Sequence, residues 1–137
     1  MSIDLGSTQL SLPVFLAPLA GITDLPFRNL VQSFGSGLVV SEMIASQEMV
    51  EAKYSVRDKA ELGLGVENTS VQIAGRHHYW MSEAAKLIAD QGARVIDINM
   101  GCPAKKVVNG YSGSALMRDL DHALSLIEAV VQAVDVP

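Results

Sequence analysis

The chain reads as an α/β protein, the N-terminal half of a (β/α)8 TIM barrel built from about four β/α units. Three observations predict this. Short β-branched runs alternate with helical stretches along all 137 residues, the pattern of a parallel sheet with right-handed crossovers. The residues with chemical potential lie in loops that follow the strand candidates, where barrel active sites sit. The last residues, Asp135-Val136-Pro137, look like the approach to a fifth strand, whereas a whole barrel takes about 250 residues. The competing architecture, a small doubly wound sheet, would place the first strand between the second and third.

The first strand is expected at 13–17 (PVFLA). A helix over 24–34 follows, with Thr23 or Asp24 as N-cap, Pro26 tolerated in its first turn, and Gly35 and Gly37 closing it. The run 37–41 (GLVVS) is the second strand, and 46–52 a short helix. Residues 53–68 read as polar and irregular. The third strand is 69–74 (TSVQIA), ended by Gly75. Residues 78–91 form an amphipathic helix with Trp80, Ala84, Leu87 and Ile88 on one face, and Gly92 as its cap. The fourth strand is 93–100 (ARVIDINM), 101–113 is a loop rich in glycine and lysine, and 121–134 is the last long helix.

Composition narrows the class. Hydrophobic residues make up 49% of the chain and the net charge is only −5, which excludes disorder and predicts one globular domain. No apolar run reaches the roughly 18 residues of a membrane span. Residues 1–12 lack the basic start and apolar middle of a signal peptide, so a cytoplasmic protein is expected. Cys102 is the only cysteine. No internal disulfide can form, and a thiol is left for chemistry. The acidic balance argues against strong nucleic-acid binding by this chain alone.

Three loops hold the unusual residues. The segment 17–24 (APLAGITD) has small residues and a proline that let backbone approach a flat ligand, though taken alone it is an ordinary βα turn with a helix cap. Gln72 places an amide in an apolar strand, where it needs a partner: a ligand in the barrel interior, or a side chain on the neighbouring strand. The strongest segment is 97–106 (DINMGCPAKK). Alternation puts Asp97 and Asn99 on one face, and Gly101 and Pro103 shape a turn that sets Cys102 just past the strand. Free thiols are mostly protonated at neutral pH and can donate a proton. Nearby lysines favour thiolate, so the residues alone leave acid and nucleophile both open. Glu42 either orients the site or is solvated. His77 and His78 are adjacent and point apart, so no metal site is expected. Residues 109–114 (NGYSGS) match no phosphate loop and read as a mobile lid.

At these residues the chain resembles the bacterial tRNA-dihydrouridine synthases. The match runs through 16–28, 41–43, 71–75, 97–107 and 113–117, with DINMGCPAKKV its most specific stretch. The resemblance implies an FMN-binding barrel followed by a helical tRNA-binding domain. Residues 1–137 would be part of that barrel, with the remainder and the helical domain absent. It further implies that reduced FMN, recharged by NADPH, gives hydride to C6 of a uracil in tRNA, and that Cys102 protonates C5. Pro18, Leu19 and Ala20 would line the flavin and Gln72 would bond its ring. Asn99 and Lys105 would hold the target base. Family members are more than twice this length, and their further FMN contacts fall outside these residues.

Two rivals remain on sequence. One is another flavin-barrel reductase of the dihydroorotate dehydrogenase kind, against which GCPAKK speaks. The other is a non-catalytic half barrel serving as an interaction module. Either way, open barrel edges predict self-association.

Overall fold

The computed structural model describes residues 2–51 and 68–137. The chain opens with an element outside the sequence expectation, an antiparallel hairpin of β1 (Ile3–Leu5) and β2 (Thr8–Leu10). Its two-residue turn starts at Gly6, whose φ of 56° suits the tight turns that join such strands. Leu10 is fully buried against Leu38 and Val40, with Ile3, Leu5 and Val95 packed around them. The Thr8 hydroxyl donates to the Arg94 carbonyl at 3.3 Å. The hairpin therefore closes the end of the sheet where strands begin and leaves the opposite end open.

The main sheet contains β3 (Phe15–Leu16), β4 (Leu38–Val40), β5 (Ile44–Ala45), β6 (Thr69–Ala74) and β7 (Val95–Ile98), and every pairing in it is parallel. β3 pairs with β4, β4 with β6, and β6 with β7. β5 lies further along the same edge of β6, so β4 and β5 are two stretches of one barrel strand. The four strand positions are thus in sequential order, as a barrel requires, and the first strand is not central. The register Val40↔Ser70 becomes Ile44↔Ile73. One extra residue therefore enters at 41–43, a bulge that re-aims side chains at the sheet's open end. On the far edge of β7, the Ile96 amide donates to the Pro137 carbonyl at 2.9 Å, so 135–137 runs where a fifth strand belongs.

Observed strands are shorter than expected at 13–17, 37–41 and 93–100, because ladder bonds end where the loops peel away. Gly37 is needed before β4: a Cβ there would lie 1.8 Å from the Leu12 carbonyl oxygen. Asp24 caps α1 (Leu25–Ser33), accepting from the Phe27 amide at 3.0 Å. α2 spans Ser46–Val50, α3 His78–Asp90, α4 Lys105–Val108 and α5 Leu120–Val131. The expected loop 101–113 thus contains α4 and leads into a 3-10 turn, Gly113–Arg118. The last helix ends before 134. The expected irregular stretch 53–68 lies outside the described residues except for Asn68.

The core sits between the outer face of the sheet and the helices. Val71, Ile73 and Ile96 pack on Met81, Ala84, Ala85 and Ile88 of α3 and on Ala123, Leu126 and Val130 of α5. The buried face of α3 therefore centres on Met81 and Ala85. Trp80 is only half-buried and Leu87 packs at the margin, a rotation of about one residue from the expected face. Strand alternation then turns Ser70, Gln72 and Ala74, with Val95, Asp97 and Asn99, toward the barrel interior.

Candidate active site

Asp97 sets the polarity of the site. A carboxylate only accepts hydrogen bonds, so the Gln72 carboxamide presents its Nε2 to Asp97 Oδ2. Gln72 Oε1 then faces Asn99 and accepts from Asn99 Nδ2 at 3.0 Å. Asn99 Oδ1 is left to accept the Cys102 backbone amide at 3.1 Å. One charge on β7 thereby orients two amides in turn and anchors the backbone of Cys102. Gln72 retains one N–H and one lone pair for a further partner. Side chains of the neighbouring strand and the loop after it thus partner Gln72.

The backbone of Gln72 is held by the bulge. Its amide donates to Ser41 Oγ at 3.1 Å, and Ser41 Oγ donates to the Glu42 carbonyl at 2.9 Å. A fully buried serine thus replaces the ladder bond that the bulge removes. The bulge also aims Glu42 at the loop after β3, where Glu42 Oε2 accepts from the Gly21 amide at 2.7 Å. Of the two readings of Glu42, the solvated one does not hold, since it is buried. The fully buried Thr23 closes the same loop, accepting from the Leu19 amide at 3.0 Å and donating to the Leu19 carbonyl at 3.2 Å.

Cys102 is half-buried. Its carbonyl accepts from the Ser114 amide at 3.0 Å. Gly113, with φ 60°, packs so closely that an added Cβ would lie 2.6 Å from the Cys102 oxygen and 2.8 Å from Val107 Cγ1. The stretch expected as a lid, 109–114, therefore lies directly against the cysteine loop.

A cavity of about 370 Å3 occupies the inner face of the sheet, walled by Leu16, Ala17, Pro18, Val40, Ser70 and Asp97 among others. The Ser70 hydroxyl is buried there with no hydrogen-bond partner among the described residues. Gln72, Asn99 and Cys102 are thus joined by hydrogen bonds, and Pro18 shares the cavity with Asp97. Leu19 and Ala20 lie on the exposed rim loop, and Lys105 is exposed at the start of α4. Alternation puts Asp97 on the face of Asn99 but gives it no role of its own, and nothing singles out Ser41; a buried serine after a strand gives no sequence signal. Among the described residues no group of three or more His, Cys, Asp or Glu is placed to hold a metal ion, and no helix is long and apolar enough to cross a membrane.

Sequential parallel strands, a plugged strand-start end and a polar relay at the open end define the class: the N-terminal half of a (β/α)8 barrel. Comparison with known proteins gives the family. Residues 15–137 match the model of the dihydrouridine synthase (Dus) family, and the chain belongs to it. It is 66% identical over 139 aligned residues to a probable tRNA-dihydrouridine synthase of Rhodobacter capsulatus, covering 100% of this chain and 43% of that protein. A probable tRNA-dihydrouridine synthase of Rhizobium leguminosarum is 62% identical over 90% of this chain and 39% of its own length. tRNA-dihydrouridine synthase B of Xanthomonas campestris is 46% identical over 98% of this chain and 41% of its own. The chain thus spans about two fifths of the relatives it matches.

Proposed function

We propose that this chain supplies the flavin-facing and proton-donating part of an FMN-dependent tRNA-dihydrouridine synthase. The observation that carries the reading is the relay from Asp97 through Gln72 and Asn99 to Cys102 at the open end of the strands. The residues present suit a flat, polar-edged ring. Gln72 has one donor and one acceptor to spare, and Pro18 walls a cavity together with Asp97 and with Ser70, whose buried hydroxyl has no partner among the described residues. FMN would be held there by Pro18, Leu19, Ala20 and Gln72, the rim loop being fixed through Glu42 and Thr23. When bound and reduced with NADPH it would supply hydride for C6 of the uracil.

The chain's own residues do the rest. Asn99 and Lys105 position the base. Cys102 holds the proton that C5 receives on the opposite side of the bond being reduced, and general acids of this kind contribute about 10²–10⁴-fold. Asn99, bonded to the Cys102 amide, keeps the thiol at a fixed height above the strand end. Proton donation, left open against nucleophilic attack by the residues alone, is favoured here because reduction of a double bond needs a proton at the second carbon. The partner is tRNA in the cytoplasm, with no metal required.

The test joins residues 1–137 to the remainder of the Rhodobacter capsulatus relative and measures flavin content and dihydrouridine in a tRNA transcript. Yellow protein that forms dihydrouridine with NADPH supports the reading. Colourless protein that takes up no FMN sinks it and favours a non-catalytic half barrel.

A further inference from the structure

The open rim carries a second concavity, one loop away from Cys102. Two adjoining hollows of about 290 Å3 and about 240 Å3 share Ala45, Glu48, Ala74, Gly110 and Ser112 as walls. Each is close to the lower bound of small-molecule sites, roughly 300 Å3. Met43 and Val107 add apolar lining to the first, with Lys106 at its edge. Arg76 and Trp80 border the second. Val107 is also the side chain against which Gly113 packs, and the other neighbour of Gly113 is Cys102. The groove and the cysteine are thus back to back across the 107–113 loop.

The groove's chemistry is that of a nucleotide site. Trp80 offers an aromatic surface, set edge-on to Tyr79 with ring centroids 4.9 Å apart, and base stacking on such a side chain is sequence-tolerant. Arg76 and Lys106 are exposed at the two ends of a groove in a chain whose net charge is −5, the placement that phosphates on either side of a base need. Glu48 is half-buried in both hollows. Among the described residues it makes no ion pair, and neither do Arg76 and Lys106.

We infer that this groove holds the nucleotide next to the target uridine in the RNA strand and prefers guanine there. The inference rests on the proposed tRNA activity. A carboxylate accepts two parallel N–H bonds, and guanine presents two adjacent donors, N1–H and the 2-amino group. Uracil presents one N–H between two carbonyl oxygens, which a carboxylate repels. Hypoxanthine lacks the 2-amino donor and falls between them.

Trp80 is the only tryptophan, so its emission reports the groove directly. The 137-residue chain is titrated with GMP, IMP, UMP and inorganic phosphate, and then with the dinucleotides GpU and UpG. Saturable quenching is expected with GMP, about tenfold weaker with UMP, intermediate with IMP and absent with phosphate, a difference of one charged hydrogen bond. Glu48→Gln removes the preference for GMP over UMP, and Arg76→Ala weakens all nucleotides alike. One of the two dinucleotides binds tighter than GMP, because its uracil reaches the Cys102 side. Equal quenching by GMP and UMP, or a preference that survives Glu48→Gln, overturns the guanine assignment. Dinucleotides that bind no tighter than GMP overturn the placement beside the target base. FMN uptake is measured separately, by flavin absorbance of the joined protein. FMN binding there without a Trp80 response in the 137-residue chain fails the groove alone, and a Trp80 response without FMN binding by the joined protein fails the flavin reading alone.

Discussion

The Asn99 side-chain amide donates to Gln72 Oε1 at 3.0 Å, and this bond ties the third barrel strand to the loop that carries Cys102. Because Asp97 fixes which way Gln72 points, the geometry of the cysteine loop depends on a carboxylate that does not touch it.

Gln72→Leu keeps volume but removes both partners from Asp97 and Asn99. Asp97 and Asn99 are half-buried, so each group left unsatisfied costs no more than about 1–3 kcal/mol, and the midpoint of urea unfolding falls with the slope unchanged. A Gln72→Leu chain as stable as the parent would show that the relay contributes nothing to the fold.

Asn99→Ala acts on the loop more than on the core. The Cys102 amide loses its acceptor, and its hydrogen exchange speeds up by about tenfold or more, while exchange in β6 and β7 stays slow. Unchanged exchange at Cys102 would mean that Pro103 and the Ser114 bond hold the turn without Asn99.

Gly113→Ala combines a positive φ with a clash against the Cys102 carbonyl and Val107. Strain of this kind costs about 1–3 kcal/mol. Thermal unfolding is expected at a lower temperature, with Cys102 more reactive to a thiol reagent as its loop moves outward. Wild-type thiol reactivity would contradict the close packing of the two loops.

The outer face of α5 carries Leu120, Leu124, Ile127 and Val131 in helical spacing, all exposed. Such a surface drives association. Sedimentation velocity should show concentration-dependent oligomers, and Leu124→Lys with Val131→Lys should shift them toward monomer. A parent chain that stays monomeric at all concentrations contradicts this.

Much of this was legible in the sequence. Strand order followed from the alternation of β-branched runs with helices, and Gln72, Asn99 and Cys102 stood out as polar or reactive groups in or just after apolar strands. Other features depend on contacts between distant residues. The hairpin at Ile3–Leu10 has strands of three residues, too short for a periodic signal, and is fixed by Leu10 meeting Leu38 and Val40. The bulge at 41–43 is visible only as a register change against β6. The role of Ser41 depends on that bulge, and the burial of Glu42 on the loop after β3. The tilt of α3 toward Met81 depends on what Val71 and Ile73 present to it.

The proton-donor assignment of Cys102 is the central claim, and single-turnover reoxidation by tRNA tests it most directly. The joined protein, reduced and mixed with tRNA, is compared with its Cys102→Ala variant. The account predicts intact FMN content, reduction by NADPH at the parent rate, and reoxidation by tRNA slowed by about 10²–10⁴-fold. Cys102→Ser recovers little of the rate, since a hydroxyl is a far weaker acid than a thiol. Reoxidation of the alanine variant at the parent rate would contradict the account, leaving Cys102 as a packing residue of the turn.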